Sequence, residues 1–188
     1  MTIAIDLTAL SYHMTGIERY ALCVTVEMLK QDKQNKYILI FRDAVHEDLQ
    51  EFIDGERVTA RIVHGNQKLL FFQIVMPFQL YRIKADRYCF FAFPGALLFK
   101  NKHIYNTIHD MGRWDQPIGE KPLNLLYFKT TEMHGIKAAR KVFTVSEFSK
   151  DRIAELSGVS RDKIVVTYNG VTDKITGSTE SFDVVQKK

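Results

Sequence analysis

The stretch KVFTVSEFSKDRIAELSGVSRDKIVVT, Lys141 to Thr167, decides the fold. Lys141 to Val145 is β-branched and aromatic, the composition of a strand. Ser146 follows as a natural N-cap, and Glu147 places a negative charge in the first helical turn, where the helix dipole favours it. The helix runs to about Leu156, Gly158 ends it, and Lys163 to Thr167 reads as another strand. Strand, helix and strand in so short a span form a unit whose two strands run parallel.

The same alternation extends toward the N-terminus. Ile3 to Leu7 is a buried strand ending in a polar turn, and Ile17, Tyr20, Ala21, Val24 and Met28 recur at helical spacing, with Gly16 at the helix start. Tyr37 to Phe41 and Val58 to Val63 are strands, with a short helix expected over Ala44 to Ile53. Lys68 to Ile83 is a long apolar helix that Pro77 should kink, because proline removes a backbone donor and crowds the preceding turn. Arg87 to Phe91 and His103 to Ile108 are further strands. Leu123 to Ala139 is helical, with Leu125, Leu126, Phe128 and Lys129 on mixed faces. The economical architecture is α/β: a Rossmann-like parallel sheet with helices on both faces.

Ligands in such folds gather at the carboxyl ends of the strands. That directs attention to the loops after Leu7, Phe91, Ile108 and Thr167. Gly16 can let backbone N–H groups approach an anion at a helix start, or can be a simple turn glycine. His109 and Asp110 end a strand where catalytic groups collect, or are a hydrogen-bonded structural pair. Phe90 to Phe99 is unusually apolar; it either lines an acceptor pocket or touches lipid, or folds back and packs, and packing is the commoner fate. Asn169-Gly170 is a turn signal in which positive φ is tolerated. His13 is the one other histidine retained as a candidate; His64 and His103 read as surface or packing residues.

Composition excludes several classes. Hydrophobic residues make up 46% and charged residues 26% of 188 residues, as expected of a globular domain with a full core. The start Thr2-Ile3-Ala4-Ile5-Asp6 lacks a signal peptide's basic region, and no apolar run reaches the roughly 20 residues of a membrane span. Cys23 and Cys89 have no metal-ligand spacing and read as reduced thiols. The net charge of +4 is compatible with an anionic membrane surface or phosphorylated substrates.

Several motifs occur in one order: Thr15-Gly16-Ile17-Glu18-Arg19-Tyr20, Gln73 and Pro77, Phe93-Pro94, Thr107-Ile108-His109-Asp110, Val145 to Ser149, and Asn169-Gly170-Val171. Together they resemble the retaining GT-B glycosyltransferases of family 4, over residues 3 to 171. The resemblance implies an N-terminal acceptor-side domain at 1–171. It also implies a linker at 172–188, with a helix at Phe182 to Lys188, toward a donor-binding domain that this chain does not carry. It further implies a nucleotide-sugar donor, a saccharide or lipid-linked acceptor, and no metal or other cofactor. His109 would bond the transferred sugar, Asp110 would orient that imidazole or meet the acceptor, and Gly16, Ile17, Asn169 and Gly170 would approach the donor. The setting implied is cytoplasmic assembly of bacterial polysaccharide or cell-surface glycan, with room for peripheral contact at the inner face of the membrane and no role for nucleic acid. The chain alone is expected to be inactive. Two alternatives stay open: a non-catalytic partner of a split transferase, and an unrelated mononucleotide-binding enzyme. Against the second, neither G-x-G-x-x-G nor a Walker lysine follows the first strand.

Overall fold

Short runs of Val, Ile, Leu and Phe bounded by polar turns become strands: β1 (Thr2–Asp6), β2 (Lys36–Arg42), β3 (Val58–Val63), β4 (Arg87–Phe90), β5 (Ile104–Thr107), β6 (Lys141–Thr144) and β7 (Ile164–Val166). The computed structural model describes residues 1–11, 14–65, 67–116, 119 and 121–170. His13, Val171 and the expected linker at 172–188 lie outside the described residues. All seven strands are parallel, in the order β3-β2-β1-β4-β5-β6-β7. The α/β reading of the sequence holds.

Side chains alternate across a strand, so each face of the sheet has its own apolar layer. Ile3, Ile5, Leu39, Phe41 and Cys89 face one layer with Ala21, Leu22 and Leu29 of α1 (Gly16–Gln31) and Leu49 of α2 (Glu47–Gln50). Ala4, Ile40, Phe90, Ile104 and Val142 face the other layer. The short helix α3 (Lys68–Leu70) leads into that side, which is closed by α4 (Met76–Arg82), α6 (Pro122–Ala138) and α7 (Glu147–Ser157) through Met76, Leu80, Ile136 and Ile153. The order reverses between β1 and β4, which opens a crevice at their carboxyl ends.

The structure departs from the sequence expectations in several elements. Helix α2 spans only Glu47–Gln50, because Asp43 takes a left-handed backbone (φ 64°) and the His46 side chain caps the Asp48 N–H. The helix expected as one kinked rod is α3, a π-helical turn (Phe71–Val75) and α4 in succession. Val75 and Met76 keep right-handed helical φ and ψ, so the chain stays helical into Pro77, and the irregularity lies in the π-helical turn before it. A short helix α5 (Gly112–Asp115) follows Met111 and was not expected. Asn169-Gly170 does follow the end of a strand, β7 at Val166, without either residue taking the positive φ that the pair tolerates. Ser146 and Gly158 do cap α7 as expected: Ser146 accepts from the Ser149 N–H at 3.0 Å, and Gly158 is left-handed at φ 71°.

The Phe90 to Phe99 segment folds back and packs. Phe90, Phe91, Ala92, Ala96 and Phe99 are buried, and only Leu98 is well exposed. Helix α6 can press on this loop because position 135 is glycine. A Cβ there would lie 2.4 Å from Cβ of Pro94 and 3.1 Å from the amide nitrogen of Asn106. Gly135→Ala is expected to lower stability by about 1–3 kcal/mol through overpacking. Gly16→Ala meets no atom within 4 Å and is expected to change stability by less than about 0.5 kcal/mol. Urea unfolding of both variants checks the contrast.

Candidate substrate groove

The carboxyl ends of β4 and β5 open into a groove between the start of α1 and helices α5 and α6. One depression, of about 60 Å³, is lined by Ile17, Phe93, Pro94, Thr107, His109, Asp110, Arg113, Phe128 and Glu132 among others. A second, of about 50 Å³, adjoins it through Phe93, Pro94, Phe128 and Thr131 and reaches Asp6, Gln73 and Met76. Both are open depressions on one wall, and neither encloses a sugar.

His109 is the best-defined group in the groove. Its Nε2 lies 2.9 Å from the Phe91 carbonyl oxygen. A carbonyl only accepts, so Nε2 carries the proton and Nδ1 of the neutral ring is left as an acceptor. The ring also meets Tyr20 of α1 edge-on, with centroids 4.8 Å apart. Burial lowers the imidazole below its ordinary 6.5, against the opposing pulls of the Phe91 carbonyl and the Asp110 charge. The ring is therefore neutral at pH 7 and held by two contacts from different elements.

Asp110 does something else. Its carboxylate accepts the Gly112 N–H at 2.8 Å and starts α5. The carbonyl of Phe91, rather than Asp110, fixes the imidazole. Gly16 is exposed at the first position of α1, after Thr15. Glu18 folds back onto that end, accepting the Thr15 N–H at 2.8 Å and the Thr15 hydroxyl. The helix end thus already faces one carboxylate, and a diphosphate would have to share its donors. Ile17 lines the groove with His109. Asn169 and Gly170 are exposed beyond β7 and line neither depression.

Four further residues belong to the groove; Thr107 and Gln73 fall within the motifs quoted above, and Asp6 and Glu132 do not. Asp6 ends β1, accepts the Thr8 N–H at 2.9 Å and its hydroxyl at 2.7 Å, and has its carboxyl raised by burial against those two bonds. Its signal is a carboxylate closing an otherwise apolar strand. Thr107 is buried in the groove, and its Oγ1 bonds to no described residue. Such a buried hydroxyl costs about 1–3 kcal/mol unless something pairs with it. Glu132 of α6 accepts the Trp114 indole N–H at 2.6 Å, and burial raises its carboxyl. Gln73 sits in the π-helical turn, donating to the Tyr127 hydroxyl at 2.8 Å and accepting the Leu97 N–H at 3.0 Å. It ties the 93–99 loop to α6 and forms part of the second depression. π-Helical turns often mark functional positions because they re-aim side chains.

The chain matches the family model of Glycosyltransferase Family 4 over residues 14–174, and it belongs to that family. A comparison with curated proteins finds no match. Membership makes the chain a glycosyltransferase domain, and sugar donors and acceptors are its substrates in general. No described helix is long and apolar enough to cross a membrane.

The Nε2–H tautomer of His109 is expected to persist at neutral pH. Nitrogen-15 NMR of the imidazole should show Nε2 protonated at pH 7 and titration below pH 6.5. Protonation at Nδ1 instead would show that the Phe91 contact does not form.

Proposed function

We propose that this chain is the acceptor-side half of a retaining GT-B glycosyltransferase, transferring a hexose from a nucleotide sugar to a glycan or lipid-linked acceptor. The observation that carries the reading is the position of His109: a fixed, neutral imidazole at the carboxyl end of β5, lining one groove with Ile17 at the start of α1. An acceptor Nδ1 in that place suits a sugar hydroxyl. The dipole at the start of α1 suits a diphosphate, once its donors are shared with Glu18. Asn169 and Gly170 lie at the carboxyl edge of the sheet, in reach of a donor held by a second wall. A departing diphosphate needs more positive charge than this wall supplies, so the reading includes a second Rossmann-like domain after the linker at 172–188. The donor is a substrate, and no metal or other cofactor enters the reading.

Peripheral membrane contact on the cytoplasmic side, in the assembly of a polysaccharide or cell-surface glycan, is supported by one surface. Leu70, Ile74 and Phe78 follow one another at four-residue spacing and are exposed, and Arg82 continues the row over the Phe78 ring at 5.3 Å. An apolar row ending in a cation suits an interface with anionic lipid. The alternative, a separate chain supplying the donor wall, is favoured by Phe148 and Tyr168. Both aromatic residues are exposed, after β6 and β7 at the same edge of the sheet.

With a donor-binding domain present, His109→Ala is expected to lower kcat by about 10²- to 10³-fold with any accepted nucleotide sugar. Residues 1–188 alone are expected to show no turnover. The assay is release of nucleoside diphosphate, with the product's anomeric configuration read by proton NMR. Full turnover by the alanine variant, or inversion at the anomeric carbon, overturns the reading.

A further inference from the structure

Glu132 is unusual among the carboxylates of this chain. It sits in the middle of α6, half-buried, and faces the depression that also holds His109. One of its oxygens, Oε2, is fixed by the Trp114 indole N–H at 2.6 Å. The other, Oε1, has no hydrogen-bond partner among the described residues. A mid-helix carboxylate inside a groove is costly unless something accepts its charge. The residues around it do so only in part. Arg113 stands over the Phe128 ring at 4.5 Å and Lys129 over the Trp114 ring at 5.0 Å, so each cation is engaged with an aromatic face. Asp110 is a second negative charge beside it.

The surroundings of Glu132 define a chemistry. Phe93 and Phe128 are half-buried and line both depressions, giving the groove an apolar wall. Acceptors for hydroxyl protons stand around it: Oε1 of Glu132 and Nδ1 of His109. The Thr107 hydroxyl lies buried beneath them, without a hydrogen-bond partner among the described residues. An apolar ring face with hydroxyl-seeking groups at its edge matches a pyranose ring, which has an apolar C–H face and a rim of hydroxyls. An alkyl chain would leave all of these polar groups unpaired.

We propose that Glu132, clamped by Trp114, reads vicinal hydroxyls of a pyranose ring, and that the acceptor part seated in this groove is therefore a sugar residue rather than a lipid or other apolar group. This rests on the transferase reading above and adds the chemical class of the acceptor. Glu132 acts by binding, and Trp114 is a positioning residue.

The chain contains one tryptophan, so its fluorescence reports on this clamp directly. The whole chain is titrated with methyl glycosides of glucose, galactose, mannose and N-acetylglucosamine, with hexanol as the apolar control. At least one glycoside is expected to change Trp114 fluorescence saturably, and hexanol is not. Glu132→Gln is expected to weaken that glycoside about tenfold while circular dichroism and unfolding stay unchanged. If that variant fails to fold, the pH dependence of the unaltered chain decides. The charged and titratable groups facing Glu132 are Asp110, Arg113, Lys129 and, across the groove, His109. Binding should weaken as pH falls through the raised Glu132 titration, above the ordinary 4.5, and a His109 contribution would appear as a separate step. Glycoside binding that ignores both Glu132→Gln and pH, or hexanol binding as well as the glycosides, overturns the proposal. The two readings fail separately. Turnover of a nucleotide sugar by the two-domain protein with no glycoside response at Trp114 sinks this proposal alone. A glycoside response with no turnover of any nucleotide sugar sinks the transferase reading.

Discussion

Asn106 is 1% exposed yet carries a primary amide, a group that costs about 1–3 kcal/mol if buried without partners. Its Nδ2 donates to the Gly135 carbonyl at 2.8 Å, and its Oδ1 accepts the Gly95 N–H at 3.4 Å. One side chain on β5 therefore joins the sheet to α6 and to the 91–99 loop. The Gly135 carbonyl, which also accepts the Ala139 N–H at 3.1 Å, comes within reach of Asn106 because a glycine lets α6 approach Pro94 this closely. The floor of the groove, its aromatic wall and the helix carrying Glu132 all take their positions from this junction. A glycosyltransferase domain must hold sugar hydroxyls to within a fraction of an ångström, and a buried amide bonded at both its nitrogen and its oxygen is a stiff way to do it.

The groove has two characters side by side. Toward β1 and the π-helical turn it is apolar, with Phe72, Met76, Leu80 and Phe90 around the Asp6 carboxyl. Toward α5 it is polar and charged, with His109, Asp110, Arg113 and Glu132. Gln73 stands in the apolar half, and its amide is spent holding Leu97 and Tyr127. Glu132 Oε1 and His109 Nδ1, two acceptors with no hydrogen-bond partner among the described residues, stand in the polar half.

The sheet was legible in the sequence because its central strands, such as Ile3 to Leu7 and Tyr37 to Phe41, are short apolar runs; the edge strand Val58 to Val63, exposed at its middle, was marked by its β-branched residues and kept its predicted ends. The caps Ser146 and Gly158 were legible because capping is local chemistry. The π-helical turn was not: Pro77 announces an irregularity, and which turn absorbs it depends on how Phe71 and Met76 pack. His109 could be picked out from its place at a strand end. Its orienting partner could not, because the Phe91 carbonyl is backbone and belongs to a neighbouring strand end. Glu132 and Asn106 carry no motif, and Thr107 was noted only as part of the strand end before His109. Glu132 reads as an ordinary helix-surface carboxylate until α5 brings Trp114 against it. Contacts between elements far apart in sequence leave no periodic trace.

The position of β1 has a consequence for how the chain comes into being. Of the seven described strands β1 is made first, yet it lies between β2 and β4, with Ile3 beside Tyr37 on one side and Arg87 on the other. Its first edge can pair once α1 has crossed over, while its second waits for a strand that emerges only after the whole π-interrupted helix. Until then the first three strands present an open apolar edge, the kind that invites pairing with another chain. The slow closure of that one parallel pair, rather than any helix, is the step at which a nascent molecule is most exposed to misassembly.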